Sequence, residues 1–289
     1  MHPDTRRKLS MLVAILGAVA GMSMTASAAE SYDNCTGFID SVPATIATQG
    51  TWCLRHDLST AMASGNAITI NTNNVTIDCN DFKIGGLAAG EASSARGIGA
   101  TGRLNATIRN CSLRGFLFGI ELAGTDGGGH LVEDNRLDQN LLAGISIQGD
   151  GNLVQRNRIL DTGGWAVSSA VAWGIVGSAD IIDNAVEGVS AVGEFAQAWG
   201  IEASGRGNEV RGNRIRRIIA GLAAGAEAVG IEAVSSGMTL DRNRVHTLAG
   251  LPGTGILARG DKSSCTYNVA VDFELGYFGC ERTLGNLEQ

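Results

Sequence analysis

The sequence predicts an all-β solenoid, a single domain of about eight stacked coils with an N-terminal cap, on three observations. A phrase of the type "VRGNRIRRI" (residues 210–218) recurs as "VEDNRLDQN" from 132, "VQRNRILDT" from 154 and "LDRNRVHTL" from 240. A second phrase, Gly-Ile, precedes most copies of the first. Glycine is abundant (41 residues) and proline scarce (3) in a chain that keeps 44% hydrophobic residues. Disorder would raise both and lower the apolar share, so the glycines read as periodic turn positions in a packed structure.

The chain opens with a basic stretch, "MHPDTRRK", an apolar run, "LSMLVAILGAVAGMSM", and a small-residue site ending "ASA" at Ala28. Residues 1–28 therefore read as a signal peptide. No later apolar run approaches the roughly 20 residues that a membrane span needs, so the expectation is a secreted or periplasmic protein with no membrane insertion once the signal is removed. Six cysteines, all beyond residue 28, fit an oxidising compartment.

Residues 29–66 lack the asparagine phrase, and "RHDLSTAMAS" within them reads as a short capping helix. Residues 67–271 carry the repeat. With the recurrent asparagine aligned, the column runs Asn80, Cys111 (the exception), Asn135, Asn157, Asn184, Asn213, Asn243 and Asn268, at spacings of 31, 24, 22, 27, 29, 30 and 25. Three residues before it stand Ile77, Ile108, Val132, Val154, Ile181, Val210 and Leu240; two after it stand Phe82, Leu113, Leu137, Ile159, Val186, Ile215 and Val245. The Gly-Ile column is Ile98, Ile120, Ile145, Ile175, Ile201, Ile231 and Ile256. Each unit thus holds short β-type segments and is too short for a helical hairpin repeat. Such a unit cannot bury its apolar face alone, but stacked copies can, with parallel pairing passed from coil to coil. Aliphatic columns then fill the interior, and the asparagines hydrogen-bond along the stack as a ladder. The long, variable period favours the right-handed form over a hexapeptide solenoid. Residues 272–289 lose the pattern and read as a C-terminal cap or tail.

With "AITINTNNVTIDCNDFKIGG" as an opening coil and the "GI…V..N.I" phrases as generic repeats, the chain resembles the right-handed parallel β-helix proteins of the pectin-lyase-like superfamily, from about Ala67 to Val271. The resemblance implies the fold. It also implies polysaccharide as partner, since enzymes of this group work on acidic polysaccharides in a groove along the sheets, often with calcium. The sequence lacks the paired aspartates and "GHG" of the polygalacturonases, the "WIDH" of pectate lyases and the "DPHD" of alginate epimerases and lyases. No enzyme family is matched, and no catalytic residue carries over. Caps over the open ends of the stack are where staples help most, so the expected disulfides are Cys35 with Cys53 and Cys265 with Cys280, leaving Cys79 and Cys111 in neighbouring coils.

Candidate chemistry lies beside the most variable segment, between the second aliphatic and the next Gly-Ile. The longer insertions, "DTGGWAVSSAVAW", "EGVSAVGEFAQAW" and "RRIIAGLAAGAEAV", belong to consecutive coils and should form a wall of loops beside a groove. The residue after Gly-Ile should face outward and is Glu121, Glu202 and Glu232 in three coils. Glu202 and Glu232 belong to adjacent coils, about 5 Å apart at Cα. Such a pair serves as acid and base, holds a cation such as calcium, or is a solvated pair relieved by an arginine. Trp173 and Trp199 lie two residues before inward isoleucines. Strand alternation makes them an interior stack unless Gly174 and Gly200 break it, in which case they offer rings to sugar faces. Arg136, Arg158, Arg214 and Arg244 follow the asparagine, and with Arg211, Arg216, Arg217 and Arg242 form a basic stripe. Arg158, Arg214 and Arg244 are candidates for binding an anionic polysaccharide, and Glu133, Asp134, Asp138, Asp183 and Asp241 nearby are candidates to neutralise the stripe.

The formal charge is −7, and removing three basic residues and one acidic residue with the signal (22 to 19, 29 to 28) makes it −9. A general nucleic-acid binder should be basic, so that class is set aside. His56, His130 and His246 have no metal-ligand spacing. Two readings remain, a carbohydrate-active lyase or hydrolase and a non-catalytic β-helix for glycans or envelope partners. An enzyme predicts an open groove where acidic and basic groups converge; a structural protein predicts Glu202 and Glu232 already paired with arginines.

Overall fold

The computed structural model describes residues 32–164, 170–221, 223, 225–248 and 252–289. Residues 1–28, read from the sequence as a signal peptide, lie outside these residues. The described chain is all β, with a single 3-10 turn at Leu87–Ala89. Its strands form three parallel sheets of eleven, ten and ten strands, called A, C and B here. One coil shows the plan: Gln197–Ser204 lies in sheet B, Glu209–Arg211 in sheet A and Arg214–Ile219 in sheet C, before Glu227–Ala233 returns to sheet B. Every strand pairs with its counterpart one coil away, so pairing is parallel throughout.

The aliphatic columns face inward as the repeat requires. In sheet B, Ile98, Ile120, Ile145, Ile175, Ile201, Ile231 and Ile256 are all completely buried. Each contributes about 1.5–3 kcal/mol by leaving water, and the parallel register places each over the next.

The glycine before each isoleucine has a separate reason. A Cβ at Gly174 would sit 2.5 Å from the carbonyl oxygen of Gly200 and 2.5 Å from Val186 Cγ1; at Gly200 it would sit 2.6 Å from the Gly230 oxygen and 2.5 Å from Ile215 Cγ2. The glycines form a column in which sheet B passes too close to sheet C for any side chain. They are therefore needed for close approach, not for turns.

The asparagine column is a buried ladder. Asn135 Nδ2 donates to Asn157 Oδ1 at 2.9 Å, Asn157 to Asn184 at 3.0 Å, Asn184 to Asn213 at 3.1 Å, Asn213 to Asn243 at 3.0 Å and Asn243 to Asn268 at 3.0 Å. Each amide also reaches a backbone carbonyl at the end of sheet A, as Asn213 does with Ile181 O at 2.8 Å. The two-residue corner between sheets A and C thereby finds hydrogen-bond partners within the protein itself.

Three expectations about the ends are corrected. Asn80 is not a rung: Asp78 aligns with Arg109 and Lys83 with Ser112, so this first corner is two residues longer and Ile84, not Phe82, stands over Leu113. Segment 55–64 contains the strand Leu58–Ser59 and no helix. At the far end, Leu275–Phe278, Arg282–Leu284 and Leu287–Glu288 join sheets B, A and C, and Asn286 Oδ1 accepts from Asn268. Stacking thus runs outside 67–271 at both ends, because a repeat can keep its register after its signature residues have drifted. The disulfides are Cys35–Cys53, Cys79–Cys111 and Cys265–Cys280. The middle one stands where the ladder begins, since the backbone N–H of Cys111 donates to Asn135 Oδ1 at 3.0 Å.

Candidate functional site

Glycine at 174 and 200 breaks the strand alternation. Ala172 and Ile175 belong to the main core, whereas Trp173 and Trp199 pack with Val171, Val229 and Leu257 in a second cluster outside it. The interior stack expected from alternation is corrected: both indoles lie on the outer face of sheet B. A residue without a side chain between two inward positions lets the preceding residue point outward. The rings are stacked, with centroids 5.3 Å apart and planes 9° from parallel. Trp199 is almost covered (9% exposed) by its neighbours, while Trp173 is half-buried. On its other side Trp173 is aligned with Ala143, whose methyl group supplies no second ring.

Glu202 and Glu232 stand in register beside this stack. Trp173 Nε1 donates to Glu202 Oε2 at 2.7 Å, and Trp199 Nε1 donates to Glu232 Oε2 at 2.5 Å. The geometry repeats because each indole reaches the glutamate of the following coil. Glu232 is 3% exposed and its other oxygen accepts from Arg259 Nε. Arg259 is the one functional group that the sequence reading missed. Its signal was available, because Leu257 aligns with Glu232 and the residue two further on shares that outer face.

The two carboxyls therefore differ. Among the described residues Glu202 has no arginine ion pair, and burial, the largest influence, raises its proton affinity above the ordinary glutamate value. The Trp173 hydrogen bond lowers it, the Glu232 charge raises it and the Arg259 charge lowers it. Arg259 holds its proton more tightly than an ordinary arginine, chiefly through its bond to Glu232, with Glu227 and Glu202 adding to the field. Glu232 thus bonds the guanidinium directly, and the charges of Glu227 and Glu202 act on it from further away.

Other candidates separate from this site. Glu121 lies three coils away across Ser146 and Val176, and forms an ion pair with Arg96. Arg158, Arg214 and Arg244 project from sheet C, a different face from the tryptophans and glutamates, so a single groove holding all the candidates is corrected. The cation-site reading of the glutamate pair fits poorly, since Arg259 already supplies the positive charge. Among the described residues no group of three or more His, Cys, Asp or Glu is arranged to hold a metal ion. The loops at the corner between sheets C and B flank the site; residues 165–169 of the first lie outside the described residues. No helix among the described residues is long and apolar enough to cross a membrane.

No curated protein sequence matches this chain significantly. Among solved structures it is similar to the A-module of mannuronan C-5 epimerase AlgE6 from Azotobacter vinelandii, with 11% identity and a TM-score of 0.45 over 88% of this chain and 91% of that one. It is also similar to the DFA-IIIase of Arthrobacter chlorophenolicus A6, with 13% identity and a TM-score of 0.38 over 78% of this chain and 70% of that one. The family model for the right-handed β-helix region matches residues 55–214. With more than half of its length matched and parallel coils stacked through all three sheets, the chain belongs to the right-handed β-helix family.

Proposed function

We propose that this protein is an exported glycan-binding β-helix that takes a neutral sugar chain on the outer face of sheet B, at Trp173 and Glu202. The observation that carries the reading is the division of the carboxylates: Glu121 and Glu232 are occupied by Arg96 and Arg259, while Glu202 is held beside a half-buried indole and, among the described residues, takes only that indole's N–H. Sugar C–H faces stack on indole rings and their hydroxyls donate to carboxylates, so Trp173 and Glu202 form a suitable pair. The excess of carboxylate around Arg259 disfavours a uronic-acid polymer here. A lyase mechanism finds no base in Arg259, which holds its proton more tightly than usual. Three disulfides among the described residues fit an oxidising compartment and support export.

A hydrolase reading is favoured by one observation, the raised proton affinity of Glu202 beside a carboxylate held by arginine, an acid and base divided by environment. Titrating the purified protein with neutral and uronic-acid oligosaccharides, with tryptophan fluorescence as readout, separates these ideas. A neutral oligosaccharide should shift the emission, and Trp173→Ala should abolish the response. No response dependent on Trp173 to any sugar rejects the binding site. New reducing ends that vanish in Glu202→Gln would replace the binding reading with hydrolysis.

A further inference from the structure

The basic stripe read from the sequence divides into two parts with different fates. Near the outer edge of sheet A, the arginines are neutralised coil by coil: Arg156 reaches Glu133 at 2.6 Å and Asp134 at 2.8 Å, Arg211 reaches Glu209 at 3.0 Å and Arg242 reaches Asp241 at 2.6 Å. On sheet C the outcome differs. Arg158, Arg214 and Arg244 occupy one outward column, with Ala185 between the first two, and Arg216 stands two residues after Arg214 on the same face. All four are exposed, and among the described residues none has a carboxylate within 4.0 Å.

This arrangement carries an energetic penalty. Like charges directly opposite each other on paired strands destabilise a sheet, and Arg214 pairs with Arg244 in register. On sheet A the chain relieves its arginines with acids. Here Glu187 stands in register with Arg216 but forms its ion pair with Arg217, and Arg158, Arg214 and Arg244 have no acid opposite them on the neighbouring strands, in a chain of net charge −7. Arg214, Arg216, Arg244 and His246, with Val269 and Val271, line a shallow groove of ≈ 560 Å³. His246 is already bonded to Asp272 at 2.8 Å, which leaves the guanidiniums as the available donors. Each presents a planar fork that matches a carboxylate or sulfate.

We propose that this sheet C face binds an anionic polysaccharide, carboxylated or sulfated, lying across the strands along the solenoid axis. The column offers one cation per coil, about 4.8 Å apart, with a gap at Ala185. That linear density suits a polymer with one charge per sugar. Duplex DNA carries a negative charge about every 1.7 Å, and the acidic whole repels it. Val269 and Val271, in register with Arg244 and His246 one coil further on, add an apolar stretch of the groove for sugar rings. This face is independent of the Trp173 site, so the chain carries one acidic and one basic glycan surface.

The test measures binding of the purified protein to polygalacturonate, chondroitin sulfate, dextran, duplex DNA and anionic phospholipid vesicles. One or both polyanionic glycans should bind, more weakly as salt rises, and dextran should not compete. Arg214→Ala with Arg244→Ala should weaken binding at least tenfold, and Arg214→Lys with Arg244→Lys should weaken it less. Trp173→Ala should leave it unchanged, which separates failure here from failure of the neutral-sugar site. A preference for polygalacturonate assigns carboxylate as the recognised group, and one for chondroitin sulfate assigns sulfate. Arg158→Gln with Arg216→Gln provides a second pair should the first reduce the folded signal in circular dichroism. The proposal is overturned by no binding to either glycan, by binding indifferent to both arginine pairs, or by DNA or vesicles binding at least as tightly.

Discussion

Trp173 donates its indole N–H to Glu202 of the following coil at 2.7 Å. The bond holds a carboxyl on the outer face of sheet B against both its own burial and the charge of Glu232. The same bond one coil later, from Trp199 to Glu232, is reinforced by Arg259. One motif used twice thus produces a satisfied carboxylate and an adjacent strained one.

Glu202 should make stability fall as pH rises. Its folded proton affinity is raised, so below the ordinary glutamate range both folded and unfolded chains hold the proton and nothing is lost. Above that range the unfolded chain releases its proton first, and folding is disfavoured until the folded group also ionises. Glu202→Gln keeps an oxygen for the Trp173 N–H and removes the charge. Its melting temperature should exceed wild type at pH 7, with the difference closing below about pH 4. A constant difference across this range would show that ionisation at Glu202 is not the cause.

Gly174 is held to glycine by space. A methyl group there would meet the Gly200 carbonyl and Val186 at 2.5 Å, forcing sheets B and C apart. Gly174→Ala should lose about 1–3 kcal/mol or more in denaturant unfolding. Gly207→Ala has nothing within 4 Å of its Cβ and a φ of +80°, so it should lose only the smaller backbone cost of about 1–2 kcal/mol.

The repeat was legible in the sequence because coil stacking converts recurrence into contact, and the columns of Ile201 over Ile175 and Asn213 over Asn184 follow from spacing alone. The role of glycine was only half legible. Its abundance suggested turns, but Gly174 and Gly200 serve close approach, and the resulting break in alternation turned Trp173 and Trp199 outward. Periodicity of two places both rings inside, and only the glycines at 174 and 200 signal that the alternation breaks there. The charged stripe was legible as composition but not as geometry, since a corner of two residues separates Arg211 on sheet A from Arg214 on sheet C and sends them to different surfaces. Asn80 misled for a similar reason: the motif was present, but a longer corner took it out of register.

The Cys79–Cys111 bond replaces the first rung of the ladder. Both cysteines are buried, and the bond joins neighbouring coils at a sequence separation of 32. Cys79→Ala with Cys111→Ala leaves the Cys111 backbone bond to Asn135 possible but removes the covalent tie. The expected loss is about 2–5 kcal/mol in denaturant unfolding. A loss confined to the first coils would appear as an early transition in hydrogen exchange of residues near 79 and 111, ahead of the central coils.

Asn213 and Asn80 look alike in the sequence and should differ sharply when replaced. Asn213 is 1% exposed, accepts from both the backbone N–H and the side chain of Asn184 at 2.9 and 3.1 Å, and donates to Asn243 and Ile181. Asn213→Ala leaves the buried Asn184 backbone N–H without its acceptor and the Ile181 carbonyl without its side-chain donor, while Asn184 Nδ2 keeps Val154 O and Ile182 O, and each unsatisfied group costs about 1–3 kcal/mol. Asn80 stands outside the ladder and makes one side-chain bond, to Leu54 O at 3.2 Å, so Asn80→Ala should cost about 1 kcal/mol. Its φ of 46° adds a further strain for alanine, which narrows the gap without closing it. Equal losses for the two variants in chemical unfolding would mean that the ladder adds no more than an ordinary corner bond, and that the aliphatic columns alone hold the coils in register.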